Sequence, residues 1–237
     1  MNKSWKKFNR LSEECCKAME SGKSGTEIWD RTFEAFTEAV RTQKELTPDF
    51  TDDFYEMEDK LDYKIDVEGW LEDYLDELTV GNMNDKVIEV CSRIISMFKW
   101  EKDSPAEFRF QIAGALGSQE KYEEVWQYCS EWYRAEPDHI LAAAAYVYAG
   151  LGVKKLPEAE EVIQRYIDDD TRCDDENDIM FTAAETFYRV AGNSEKLERI
   201  RKRMEEYEEE LEDFYSCKDE DGLDFMFEED DSELPFK

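Results

Sequence analysis

Residues 104–137 read SPAEFRFQIAGALGSQEKYEEVWQYCSEWYRAEP, and residues 138–171 read DHILAAAAYVYAGLGVKKLPEAEEVIQRYIDDDT. Each segment of 34 residues carries an apolar helical pattern, a short turn containing glycine, and a second amphipathic helical pattern. A repeat of that length is one helical hairpin. A hairpin cannot bury its apolar face alone, so successive copies must stack on one another. The period therefore predicts an all-α fold, a right-handed superhelix of stacked antiparallel helical hairpins (an α-solenoid).

The period of 34 is firm over 104–171, extends back to Trp70 and is lost before it, but apolar residues at helical spacing continue outward from this centre. Trp5, Phe8, Leu11, Cys15 and Met19 recur at steps of three and four, which predicts an amphipathic helix ended by Ser21 and Gly22. Ser24 to Glu27 has the pattern of a capping box and opens a second helix that buries Trp29, Phe33, Phe36 and Val40. After Thr47-Pro48, the series Phe54, Met57, Leu61 and Ile65 predicts a further acidic helix. Trp70, Leu71, Leu75 and Leu78 lead to Gly81-Asn82, and Val87, Val90, Cys91, Ile94 and Phe98 lie on the partner helix. Ser104-Pro105-Ala-Glu107 has a Ser cap, Pro in the first helical position and Glu three residues after the cap. Leu141 to Gly150 is apolar nearly all round and is expected to be the most enclosed helix, with Pro157 starting its partner. Gly192-Asn193 stops another helix, and a long charged helix over 194–214 closes the array. The resulting division is an N-terminal hairpin over 1–46, an acidic linker and helix over 47–69, helical repeats over 70–216, and an acidic, disordered tail over 217–237.

Charge is concentrated in two places. The formal net charge is −31. Residues 45–77 hold 14 acidic against 2 basic residues, and residues 205–237 hold 16 against 2. Such stretches repel nucleic-acid phosphate and anionic lipid, and they favour a basic partner. At 41% apolar and 14% aromatic, the chain has ample material for a core. No apolar run approaches the ~20 residues of a membrane span, and no apolar stretch follows the basic N-terminus. The expected setting is the cytoplasm, with neither a membrane nor nucleic acid bound directly.

Motifs for chemistry are incomplete. The six cysteines (15, 16, 91, 129, 173 and 217) have no C-x-x-C pair, so reduced, mostly buried thiols are expected. Gly22-Lys23-Ser24 resembles the end of a phosphate loop, but Lys17 stands where its first glycine belongs and no strand precedes it. Cys217 to Glu228 places Asp219, Asp221, Gly222 and Glu228 at calcium-loop positions, but Cys217 replaces the first ligand. His139 is the single histidine, with no companion for a triad or a zinc site. No catalytic residue, metal or cofactor is predicted, and the chain is read as not an enzyme.

The repeats resemble tetratricopeptide repeats in a degenerate form. With Pro137 at the repeat-closing proline, Tyr122 falls on the aromatic that opens the second helix and Val125 on the small-residue position. Leu156, Ala159 and Ile163 fill the equivalent slots one period on, and Ile88, Cys91 and Ile95 one period back. Trp132 and Tyr166 depart from the family's preference for a small residue, and the hairpin after Asp174 needs an insertion to stay in phase. The resemblance covers residues 70 to 215. It implies a concave groove lined by the first helix of each pair: Asp73 and Asp76, Glu107 and Phe110, Leu141, Ala144 and Tyr148, then Asp175 and Asp178. Such a groove is acidic at both ends and apolar in the middle. It implies a scaffold or adaptor for a protein or peptide of basic or amphipathic character. Exposed groove aromatics would permit a dimer. Two other readings are an acidic mimic of nucleic acid that inhibits a DNA-binding protein, and a cryptic enzyme with buried paired carboxylates.

Overall fold

The computed structural model describes residues 2–22, 25–51 and 53–216, with side chains as far as 212. The calcium-like loop, the acidic tail with its Phe225-Met-Phe227 and Leu234-Pro-Phe236 islands, and the Ser24 cap lie outside the described residues. Eleven helices and no strand occur among the described residues, so the fold is all-α. None of these helices is long and apolar enough to cross a membrane. The chain divides into two compact units, Met1–Ala159 and Glu160–Lys237.

The first unit begins with α1 (Lys3–Glu20) and α2 (Glu27–Leu46), which pack on each other. Asn2 caps α1, its Oδ1 accepting from the Ser4 and Trp5 amides at 2.9 and 3.0 Å. Gly22, at φ +63°, carries the chain out of α1 in the left-handed region that glycine adopts without strain. The apolar stripes of both helices meet α4 (Glu68–Val80) in an aromatic core. There, Phe8 stands edge-on to Trp70 at 4.9 Å and Trp29 stacks on Tyr74 at 5.9 Å. Trp5, Phe8, Phe33, Phe36 and Tyr74 expose no surface at all, so this core removes a large apolar area from water.

Between α2 and α4 the predicted acidic helix is not present. Only α3 (Met57–Lys60) forms, a single turn. Asp62 and Tyr63 adopt φ of 55° and 50°, which a right-handed helix cannot accommodate. The apolar residues of the series are nevertheless used, because Phe54, Met57 and Ile65 are buried. Residues 47–51 and 53–67 belong to an irregular strap held by its own carboxylates. Asp53 Oδ2 accepts from the Lys102 amide at 3.0 Å, and Glu58 Oε1 accepts from the Val67 and Glu68 amides at 2.6 and 2.9 Å. Glu58 thereby caps the start of α4 from nine residues away, satisfying amides that have no partner inside the helix.

The rest of the first unit comprises α5 (Asn84–Met97), α6 (Ala106–Ser118), α7 (Tyr122–Ala135), α8 (Ile140–Gly152) and the start of α9 (Leu156–Tyr166). Contacts join α4 to α5, α5 to α6, α6 to α7, α7 to α8, and α6 to α8. The α8 helix is the most enclosed, as its composition predicts. Ala142, Ala143, Ala144, Ala145, Val147, Ala149 and Gly150 are all buried. Its small side chains allow close approach, since a Cβ built on Gly150 would sit 3.1 Å from the Ala159 Cβ. One cap differs from expectation. Pro105, not Ser104, takes the cap position of α6, and the Ser104 hydroxyl, one residue too far back, makes no capping bond.

The second unit holds the remainder of α9, then α10 (Asp178–Ala191) and α11 (Ser194–Ser216). Gly192, at φ +71°, closes α10, and the Asn193 amide returns to the Tyr188 carbonyl at 3.0 Å. The basic cluster of α11 is anchored by individual partners: Arg201 pairs with Glu185 at 2.8 Å, and Arg203 donates to the Asp168 and Asp169 carbonyls at 2.7 Å each. Asp168 closes a local turn, its Oδ1 accepting from the Asp170 and Thr171 amides. The five described cysteines are free, and four of them (Cys15, Cys91, Cys129 and Cys173) are buried.

Candidate functional site

One side of α4 carries Glu68, Leu71, Glu72, Leu75 and Asp76 at steps of three and four. On α6 the same spacing aligns Glu107, Phe110 and Gln111. These two faces, Leu141 at the start of α8 and Phe54-Tyr55 of the strap enclose a groove of about 360 Å³. Its floor is apolar, with Phe54, Leu71, Leu75 and Phe108 buried. Its rims are acidic, with Glu72, Asp76 and Glu107 exposed and Glu68 half-buried.

Twelve residues line the groove, and none is Lys, Arg or His. The carboxyl of Glu68 is raised above its ordinary range, chiefly by burial and then by the charges of Glu58, Glu72, Asp66 and Glu107. Tyr55 stands at one rim, where its hydroxyl donates to Glu107 Oε2 at 3.1 Å. Burial, followed by the Glu107 charge, pushes this phenol well above its usual range. The site is thus a concave surface of one charge sign around an apolar floor, a combination that attracts cations while offering them a place to bury an apolar stem.

Of the residues expected to line a groove, Asp76, Glu107, Phe110 and Leu141 come together here. Tyr148 lies beside them, its ring 6.4 Å from that of Phe110. Asp73 points elsewhere. Its charge acts on the Cys16 thiol of α1, and its own carboxyl is raised by burial and by Asp76. Ala144 is completely buried and serves packing. Asp175 and Asp178 belong to the second unit, exposed in the turn before α10 and in its first turn.

Tyr55, Glu68, Glu72 and Gln111 also line the groove, though none was expected there from the sequence. The i, i+4 ladder of Glu68, Glu72 and Asp76 was a readable signal for the α4 rim. Nothing in the sequence placed the strap against α6.

His139 sits at the N-cap of α8, its ring 6.3 Å from Trp132, and its Nδ1 has no hydrogen-bond partner. It lines a separate open hollow of about 560 Å³ that mixes acidic and basic side chains, among them Arg109 and Glu136, paired at 2.8 Å. Among the described residues, no group of three His, Cys, Asp or Glu side chains is placed to hold a metal ion. Comparison with family models, with curated proteins and with solved structures finds no match to this chain.

Proposed function

We propose that this protein is a non-enzymatic scaffold built on tetratricopeptide-like helical hairpins, and that it binds a basic or amphipathic segment of another protein in the groove between α4, α6 and α8. The observation that carries this reading is the lining itself: four carboxylates on two facing helices, an apolar floor, and no cation among the twelve lining residues. Complementary charge steers such a partner in, and the buried floor supplies contact area once it arrives. Stacking is supported by the contacts of α6 with both α7 and α8, which adjacent hairpins require. Burial of Cys91, Val125, Ala159 and Ile163 at the family's small and apolar slots supports it too. Tyr122 packs over Gly152, where a Cβ would approach the ring to 3.0 Å, as an aromatic opening the second helix of a pair would.

Fluorescence anisotropy with a panel of Arg/Leu peptides and a charge-matched acidic panel tests this function. The reading expects binding of the basic panel alone, weakening as salt rises, and lost in a Glu72→Lys, Asp76→Lys double variant that keeps its helical circular dichroism. Binding of no peptide at low salt, or equal binding to the variant, would refute it.

A further inference from the structure

A hollow in the second unit is bordered by cations. We infer that it is the seat of the chain's own C-terminal segment, with Phe225-Met226-Phe227 on its apolar floor and the flanking Asp224 and Glu228 carboxylates on its cations. Seat and segment both belong to the second unit, so this holds whatever the groove of the first unit binds.

The hollow lies between the end of α9 and the first turns of α11. Ile163, Ile167, Tyr188 and Ile200 form its floor, all of them buried. Lys196, Arg199 and Arg203 border it, at steps of three and four along one face of α11. Residues 196–203 hold five basic residues against one acidic, in a chain whose formal net charge is −31. Two of the bordering cations have charge to offer. Arg203 spends its guanidinium on the Asp168 and Asp169 carbonyls, neutral acceptors that fix the fork without cancelling its charge. Arg199 pairs with Asp169 at 3.6 Å and Glu195 at 3.3 Å, and all three side chains are more than half exposed. Water screens such pairs, so another carboxylate can replace them at little cost. Lys196 is already held, by Glu160 at 2.7 Å and by the Tyr188 ring 5.2 Å away. The Asp168 carboxylate is occupied by its own turn.

Charge, residue order and reach fit residues 217–237 to this hollow. They hold nine acidic residues against two basic. The later part of α11 repels them, because residues 205–213 hold seven acidic residues and no basic one. The basic cluster earlier in the same helix attracts them. Asp224 and Glu228 directly flank Phe225-Met226-Phe227, so an apolar triplet bordered by carboxylates meets an apolar floor bordered by cations. Leu234-Pro235-Phe236 fits less well, because Lys237 follows it where a second carboxylate would be needed. Arg203 and Arg199 lie 13 and 17 residues before Ser216, about 20 and 26 Å back along the helix at ~1.5 Å per residue. Phe225 lies nine residues beyond Ser216, and a stretch of that length spans up to about 30 Å. The triplet therefore reaches the hollow after the chain reverses direction.

Photo-crosslinking in the full chain tests this seat. Phe227→p-benzoylphenylalanine is irradiated in an equal mixture of isotope-labelled and unlabelled protein, and the joined fragments are located by mass spectrometry. Cross-links are expected on residues 160–169 or 188–203 of the same chain. Their yield should fall about fivefold in Arg199→Glu and again in Phe225→Ser, which leaves the hollow itself unaltered, and it should weaken as salt rises. Adding Asp224→Lys or Glu228→Lys to Arg199→Glu should recover most of the loss in one of the two combinations. Circular dichroism checks that each variant keeps its helices. Cross-links elsewhere in the chain, cross-links that join labelled to unlabelled copies, a yield unmoved by both Arg199→Glu and Phe225→Ser, or no cross-link at all would each overturn the inference.

Discussion

The Tyr55 hydroxyl donates to the Glu107 carboxylate at 3.1 Å, joining two residues 52 positions apart in the chain. This bond ties the irregular strap to the first turn of α6, so that one wall of the acidic groove comes from a segment outside the repeats. Tyr55→Phe is expected to lower stability by about 0.5–1 kcal/mol, the net worth of one partly solvated hydrogen bond. Urea denaturation measures it. A loss above about 2 kcal/mol would mean that the ring, not the hydroxyl, had been disturbed.

Glu58 caps α4 with both bonds to one oxygen, from the Val67 and Glu68 amides. Glu58→Ala leaves those amides unpaired at the helix start and is expected to cost about 1 kcal/mol, within the ~0.5–2 kcal/mol range for lost caps. Glu58→Gln, which keeps an acceptor, should recover part of this. Equal losses for the two substitutions would show that the carboxylate charge, not the acceptor geometry, is what α4 requires.

Trp70 is nearly fully buried and contacts Phe8, Phe36, Trp29 and Tyr74, which come from α1, α2 and α4. Trp70→Ala is expected to destabilise the first unit by about 3–5 kcal/mol through lost transfer energy and the cavity left behind. Because the cluster is shared, α1 and α4 should lose hydrogen-exchange protection together. Loss confined to α4 would contradict a shared core.

Gly192 ends α10 at φ +71° with no heavy atom within 4 Å of a built Cβ. The cost of Gly192→Ala is therefore purely conformational, about 1–2 kcal/mol. Thermal unfolding of Gly192→Ala beside Gly114→Ala makes the comparison, because Gly114 is helical and equally open. The second change should be neutral or stabilising.

Stability should peak in mild acid. Glu68 has its carboxyl raised by burial and neighbouring charge, so the folded state holds its proton above the ordinary value of 4.5. Its contribution is complete below 4.5 and is lost as pH rises through the elevated value. Glu34 is lowered by its hydrogen bond to Arg93 and Glu56 by its bond to Lys102. Their contributions are present above the ordinary value and are lost as pH falls through the depressed ones. The Tm measured in dilute solution should therefore rise from pH 7 towards about 4.5 and fall below it. Glu68→Gln should flatten the upper arm. A Tm that declines steadily from pH 7 would overturn this prediction.

Helix boundaries and core faces were legible in the sequence because they depend on local chemistry. Gly81 and Gly192 end their helices, Pro157 lies in the first turn of α9, and the apolar stripes of α1, α2 and α5 are the faces that are buried. The small apolar residues of α8 fixed its enclosure for the same reason. The groove was legible only in part. Glu72 and Asp73 are adjacent, and a helix turns by ~100° between neighbours, so one faces the groove and the other faces Cys16 of α1. Which side is which depends on the packing of α1 against α4, a contact between residues more than fifty positions apart.

The strap was the least legible element. Phe54, Met57, Leu61 and Ile65 have helical spacing, but only Met57 lies in a helical turn, and Phe54 and Ile65 are buried from irregular chain. Phe54 instead packs against Phe98 and Phe108 at 5.6 and 5.4 Å, and distant amides claim the carboxylates of Asp53 and Glu58. Helicity, acidity and apolar spacing are written into the chain locally, since propensity, charge and capping act over a few residues. The meeting of four of those many carboxylates on one apolar floor is a property of the folded chain, because it depends on contacts whose partners lie far apart in sequence.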